Sequence, residues 1–219
     1  MYSIITADIV DYTTLSKEDE DNVLQTTRSL FGNDNSARHN MDANYSIRRG
    51  DNIQIELEDP TIALKTALLL KTAINIMTPA NENSNPRPII DVRIAIGVGT
   101  ITSKRDSVDE STGDAYTYSG RTLDMMKKEK RMLAFSSGIE HVNAELETEL
   151  KLLEVIMAGW SRYSAEVIHY MLLGMTQTEI GKALNKSQPA INQRTKIAGW
   201  SGIKPLLQRF ETITKTNFL

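Results

Sequence analysis

Apolar positions along the first 136 residues alternate between short runs and helical stripes. Tyr2 to Val10 is short, apolar and β-branched, the pattern of a buried strand. Ser16, followed by acids, predicts a capped helix to about Phe31, and the stretch from Gly32 to Asn44 is polar and turn-rich. In the stretch from Tyr45 to Leu57, Ile53, Ile55 and Leu57 alternate with Asn52, Gln54 and Glu56 as in a half-exposed strand. Gly50-Asp51 sits where a hairpin would turn. Asp59-Pro60 predicts a helix start, with a capping carboxylate and proline at the first position, and the helix runs to about Ile76. A loop holding Pro79, Pro86 and Pro88 precedes a strand from Ile89 to Val98. Thr102 to Ala115 reads as a polar loop, Ser119 as the cap of a helix through Lys130, and Met132 to Phe135 as a closing strand.

The order β-α-β-β-α-β-α-β predicts an α+β fold, a ferredoxin-like split βαβ arrangement with an antiparallel sheet and helices on one face. Ser137 to Gly159 is a connecting helix. Beyond it, Ser164 to Leu173 is amphipathic and ends at Gly174. Thr176-Gln177-Thr178-Glu179 is a capping box that opens a helix from Gln177 to Leu184. Asn185-Lys186 is a turn, and Ser187 caps a third helix from Gln188 to about Ala198, in whose first turn Pro189 is tolerated. Ile180, Leu184, Ile191 and Ile197 are expected to face inward, and Gln188, Asn192, Gln193 and Lys196 outward. The expected division is an α+β domain over 1–136, a connecting helix over 137–159 and a small all-α domain over 160–219.

Charge sharpens that division. The 219 residues carry a net −3, unevenly spread. Residues 151–219 hold nine Lys or Arg against four acids, +5, and residues 1–150 hold 16 bases against 24 acids, −8. Such asymmetry fits two segments with different partners. The chain has no cysteine, which excludes disulfides, thiolate metal sites and a cysteine nucleophile. No apolar run is long enough to span a membrane, and the N-terminus lacks the pattern of a secretory signal, so a cytoplasmic protein is expected. His39, His141 and His169 are scattered and suggest no histidine metal site.

The outward face of the third C-terminal helix carries amides that can bond adenine edges bidentately, beside cations for phosphates. Thr176, Glu179-Ile180-Gly181, Leu184, Ser187 and Ala190-Ile191 resemble the helix-turn-helix of LuxR-type and sigma-region-4-type regulators, with Gly181 in place of the usual Ala. The resemblance implies DNA contacts from Thr176, Gln177, Ser187, Gln188, Asn192, Gln193, Arg194 and Lys196. The same amphipathic surfaces also suit another protein's helix.

Three clusters mark the first segment. Thr6-Ala7-Asp8-Ile9-Val10 and Arg49-Gly50-Asp51 place Asp8 at a strand end and Asp51 at the hairpin turn. In a split βαβ sheet the two approach each other, and paired carboxylates suit Mg²⁺. Asp8 can equally cap a loop and Asp51 serve a turn. These clusters resemble the two metal motifs of class III nucleotide cyclases. That family's base-reading Lys falls on Ile47, its transition-state Asn on Asp124 and its following Arg on Lys128. The resemblance therefore implies reduced cyclase chemistry, because Asp in place of Asn repels a triphosphate.

The third cluster comprises Asp91-Val92-Arg93-Ile94-Ala95-Ile96-Gly97, then Gly113-Asp114-Ala115-Tyr116 and Ser119-Gly120-Arg121-Thr122-Leu123-Asp124. With the first two it resembles the SatD family of bacterial proteins over most of residues 1–135, which implies a cyclase-like fold and a regulatory setting. Arg49, Gly50, Arg93, Ser119, Gly120 and Arg121 are candidate anion contacts, the last three through free N–H groups at a helix start; Arg93 on a strand also suits a structural ion pair.

The expected function is a DNA-binding transcriptional regulator, acting as a homodimer paired through the sheet domain or the connecting helix. The first domain is then a sensor for a nucleotide or anion effector, with no catalytic residues and no required cofactor, although Mg²⁺ or a nucleotide would suit the acidic pair. The alternatives are a Mg²⁺-dependent nucleotidyl enzyme with a partner-binding tail, or a protein-interaction adaptor.

Overall fold

The computed structural model describes residues 1–32, 43–79 and 84–219. The long central strand β1 (Tyr2–Ile9) is buried on both faces nearly throughout, as its unbroken apolar run requires. The remaining strands are β2 (Asn44–Arg48), β3 (Asn52–Leu57), β4 (Val92–Gly99) and β5 (Leu133–Ser137). They form one mixed sheet in the order β2-β3-β1-β4-β5. The first three contacts are antiparallel; β4 and β5 run parallel, so the sheet is not wholly antiparallel as expected. His39 and most of the polar 32–44 stretch lie outside the described residues.

Among the described residues eight α-helices accompany the sheet: α1 (Lys17–Phe31), α2 (Ala63–Ile76), α3 (Asp114–Glu129), α4 (Glu140–Ala158), α5 (Arg162–Leu172), α6 (Gln177–Leu184), α7 (Gln188–Ile197) and α8 (Trp200–Phe218). The molecule is thus α+β. No helix among the described residues is long and apolar enough to cross a membrane.

Helices cover both faces of the sheet, not one. Register explains how. Ile5 pairs with Ile55 and with Ile96, and Ile96 with Phe135, so one face is a continuous apolar plane. That face packs on α2, whose residues are almost all buried. A helix apolar nearly all round needs cover on every side, and the C-terminal helices supply it, α5 along its length and α8 beside its start. Polar groups inside α2 are matched: Lys71 Nζ lies 2.5 Å from Asp91 Oδ1, and Thr72 Oγ1 lies 2.9 Å from His169 Nδ1 on α5. Phe135 of β5 meets Phe210 of α8 edge-on at 5.8 Å. One cluster of buried apolar residues therefore runs from Ile5 to Phe218.

The opposite face belongs to α3. It approaches β4 so closely that a Cβ on Gly97 would lie 2.3 Å from the Ala115 carbonyl oxygen. Ala95, Ala134, Leu123 and Met126 form the small second core there. Helix α3 begins six residues earlier than expected: Gly113 is its N-cap residue, and Ser119 is a buried interior residue whose Oγ accepts from Thr6 Oγ1 at 2.9 Å.

Candidate functional site

Helix α3 covers β1, β4 and β5 but leaves the β3 side of its face open. The gap is a basin of about 700 Å³. Its floor is polar because the α3 face of this half-sheet is polar: Thr6 pairs with Gln54 and Asp8 with Asn52 across β1 and β3. The hairpin supplies Arg48, Arg49 and Asp51, and α3 supplies Gly120, Leu123, Asp124 and Lys127 from successive turns.

The expected approach of Asp8 and Asp51 occurs. The Ile9 N–H donates to the Asp51 carbonyl at 3.0 Å and fixes the hairpin tip against the end of β1. Arg49 and Gly50 both adopt positive φ in that tip. Gly50 has a second reason to be glycine, since a Cβ there would lie 2.0 Å from the Tyr12 hydroxyl oxygen.

The electrostatics of Asp8 differ from a bare acidic pair. Lys127 Nζ lies 3.0 Å from its Oδ1, and Arg93 Nη1 lies 3.3 Å from its Oδ2. Arg93 is the cross-strand neighbour of Asp8 and also donates from Nε to the Arg131 carbonyl. It serves the sheet rather than the basin, a correction to its expected anion contact. A divalent ion would have to displace the Lys127 ammonium to reach Oδ1, so the donor set as folded does not fit a metal. Among the described residues no cluster of three or more His, Asp or Glu side chains is placed to hold one. Arg49 is exposed, with no side-chain ion pair or hydrogen bond to other described residues.

The anion cradle expected at Ser119-Gly120-Arg121 does not form. These residues lie past the first turn of α3, where backbone N–H groups are taken by carbonyls four residues back. Gly120 still opens the basin wall, but Arg121 points to solvent. Ile47 packs against the apolar core, and Lys128 does not line the basin. Lys127, which sequence reasoning passed over for Lys128, was marked by its i, i+3, i+4, i+7 spacing with Gly120, Leu123 and Asp124.

The second candidate surface lies on α6 and α7. Thr176 forms the expected capping box: its hydroxyl accepts from the Glu179 N–H, and the Glu179 carboxylate accepts from the Thr176 N–H at 2.8 Å. The Thr176 backbone interactions hold Glu179 below the usual carboxylate range. Asn185 ends α6 in the left-handed region. The Lys186 N–H returns to the Gly181 carbonyl, and a Cβ on Gly181 would lie 2.9 Å from the Lys186 carbonyl oxygen, so the tight turn explains glycine where the resembling motif has alanine.

Ile180 and Ile191 are buried as expected, and Leu184 is half-buried. Ile197 is not: it is 64% exposed, and Thr195 and Ala198 take the inward positions. Gln188, Asn192, Gln193 and Lys196 are exposed and make no side-chain hydrogen bond to other described residues. Gln177 is half-buried. Ser187 holds the N-cap position without accepting a capping bond, which leaves its hydroxyl exposed. Arg194 departs from the expected DNA contact: it lies 3.2 Å from Glu166 and 4.4 Å over the Tyr163 ring, tying α7 to α5. The Trp160 indole N–H donates to the Ala198 carbonyl at 2.9 Å and secures the end of α7.

Set against known proteins, the chain matches no family model, no curated protein and no solved structure.

Proposed function

We propose that this chain is a DNA-binding transcriptional regulator of the SatD type, with a reduced cyclase-like sensor domain. In this reading α6 and α7 are a helix-turn-helix and α7 is the recognition helix. The observation that carries the reading is the outer face of α7. Its Gln188, Asn192, Gln193 and Lys196 are solvent-facing while Ile191 and Thr195 anchor the other side. Exposed amides on a rigid helix are the groups that read base edges. Lys182, Lys186 and Lys196 stand exposed around them for phosphates.

The sheet order β2-β3-β1-β4 supports a ferredoxin-like, cyclase-related domain. The pairing of Asp8 with two cations supports a basin that binds a polar or anionic effector over one that runs metal-dependent chemistry. Arg49 and Lys127 are the groups that would meet such a ligand.

Fluorescence anisotropy with the gene's own upstream region tests the DNA reading. Three phosphate contacts predict a log–log salt slope of about −2.7. A flat salt response would remove the reading and leave the adaptor alternative.

A further inference from the structure

Helix α7 presents two exposed rows at four-residue spacing. One is Gln188, Asn192 and Lys196; the other is Pro189, Gln193 and Ile197. Residues four apart share a face and lie about 6 Å apart along the axis. Each row therefore spans about 12 Å, roughly three to four base-pair steps of about 3.4 Å. None of the three amides has a side-chain hydrogen bond to other described residues. The helix that carries them is anchored by the buried Ile191, Thr195 and Ala198, so it presents them from a fixed frame.

The two rows also exclude a chemistry. Guanine offers two acceptors, N7 and O6, and is read by two donors on one side chain, which suits arginine. Neither row holds an arginine, nor a carboxylate to accept from cytosine. The arginine of α7, Arg194, is turned to α5: its Nη1 lies 3.2 Å from Glu166 Oε2, and its guanidinium carbon lies 4.4 Å over the Tyr163 ring. Lys196 stands in the third turn, past the early residues that a recognition helix sets on base edges. Adenine offers one acceptor, N7, and one donor, the N6 amino group, and a single amide supplies the complement of both. The same amide on guanine leaves its carbonyl oxygen facing a second acceptor.

We infer that α7 reads adenine–thymine pairs and discriminates against guanine–cytosine pairs. The inference rests on the DNA reading and names the base pairs which that reading leaves open. It also gives Ile197 a partner. This side chain is 64% exposed, one turn beyond Gln193, with Pro189 one turn before. Apolar groups flanking an amide suit the C5-methyl group of thymine, which guanine–cytosine pairs lack.

Selection of the full chain against a random duplex library, followed by anisotropy on the enriched site, is the test. The site should be built on adenine–thymine pairs, and guanine in place of a contacted adenine should weaken binding about 5- to 150-fold. At that position 7-deaza-adenine, which lacks the N7 acceptor, should also bind more weakly. Uracil in place of thymine should cost about 4-fold, the worth of one methyl group, and nothing in Ile197→Ser. An enriched site of guanine–cytosine pairs overturns the inference and leaves the DNA reading standing. Binding that falls with salt but enriches no sequence does the same. A site that accepts 7-deaza-adenine without loss overturns it too, because groove shape would then be selecting the sequence. No binding at any salt removes the DNA reading, and this inference with it.

Discussion

Lys127 and Asp8 meet at 3.0 Å across 119 positions of chain, joining the third helix to the end of the central strand. Asp8 is nearly buried, whereas Lys127 is almost half exposed. The two ends of the pair therefore carry unequal stability. Asp8→Ala strands the largely buried Arg93 and should lower the unfolding free energy by about 2–3 kcal/mol. Lys127→Ala should cost less than about 1 kcal/mol, since water replaces its ammonium. Urea unfolding of both variants gives the comparison, and equal losses would contradict this assignment of burial.

Gly97 tests the close approach of α3. A methyl group there would press on the backbone of Ala115 and Ser119, neither of which can rotate away. Gly97→Ala should destabilise the fold by about 2–4 kcal/mol, at or beyond the upper range for overpacking. Gly120→Ala should be neutral or slightly stabilising, because open space faces that position within a helix. Thermal melts of the two variants should separate widely; a harmless Gly97→Ala would mean α3 sits further from β4.

For DNA, the variants should divide by kind. Gln188→Ala and Asn192→Ala should each cost about 1–3 kcal/mol on the preferred sequence and little on others, which relaxes specificity. Lys196→Ala should weaken every sequence alike and reduce the salt slope by about one. Arg194→Ala should first show as lost folding stability, because its guanidinium is engaged by Glu166 and Tyr163. Competition binding against random duplexes distinguishes these outcomes, and uniform losses for Gln188 and Asn192 would argue against base contacts.

Acid should loosen the hairpin selectively. The Arg48 guanidinium, aided by the Ser107 hydroxyl, holds the Asp109 carboxyl well below its ordinary value. A carboxyl whose folded pKa is depressed contributes its stability in full above the unfolded value, about 3.9, and loses it as pH falls through the folded one. The stability gap between wild type and Arg48→Met should therefore be full and constant above about pH 5 and shrink progressively as pH falls below about 4. Denaturation midpoints across that range report it, and a gap that widened in acid would reverse the sign.

Much of the sheet half was legible because its signals are local. The β-branched run of Tyr2 to Ile9 and the alternation of Asn52 to Leu57 each dictate a strand, and Thr176 with Glu179 dictates a helix start. The start of α3 was misplaced because Ser119 looks like a cap, while Gly113 starts the helix with no side-chain cap bond at all. Helix α8 escaped notice for a similar reason. It opens on left-handed Gly199 without a capping side chain and carries Pro205 inside, two signs that normally read as a break. Cover on both sheet faces was written only in the nearly all-round burial of α2, which no single stripe reveals. Within the basin, the carboxylates could be named from motifs, but the pairing of Lys127 with Asp8 depended on helix phase.

The burial of α2 between the sheet and α5 has a mechanical consequence. The helix that carries Thr72 and the one that carries His169 are clamped face to face, so the orientation of α7 relative to the basin is set by a packed interior rather than by a hinge. The C-terminal helices therefore cannot swing as a separate body. A chain cut after α4 would lay bare the apolar flank of α2 and lose solubility.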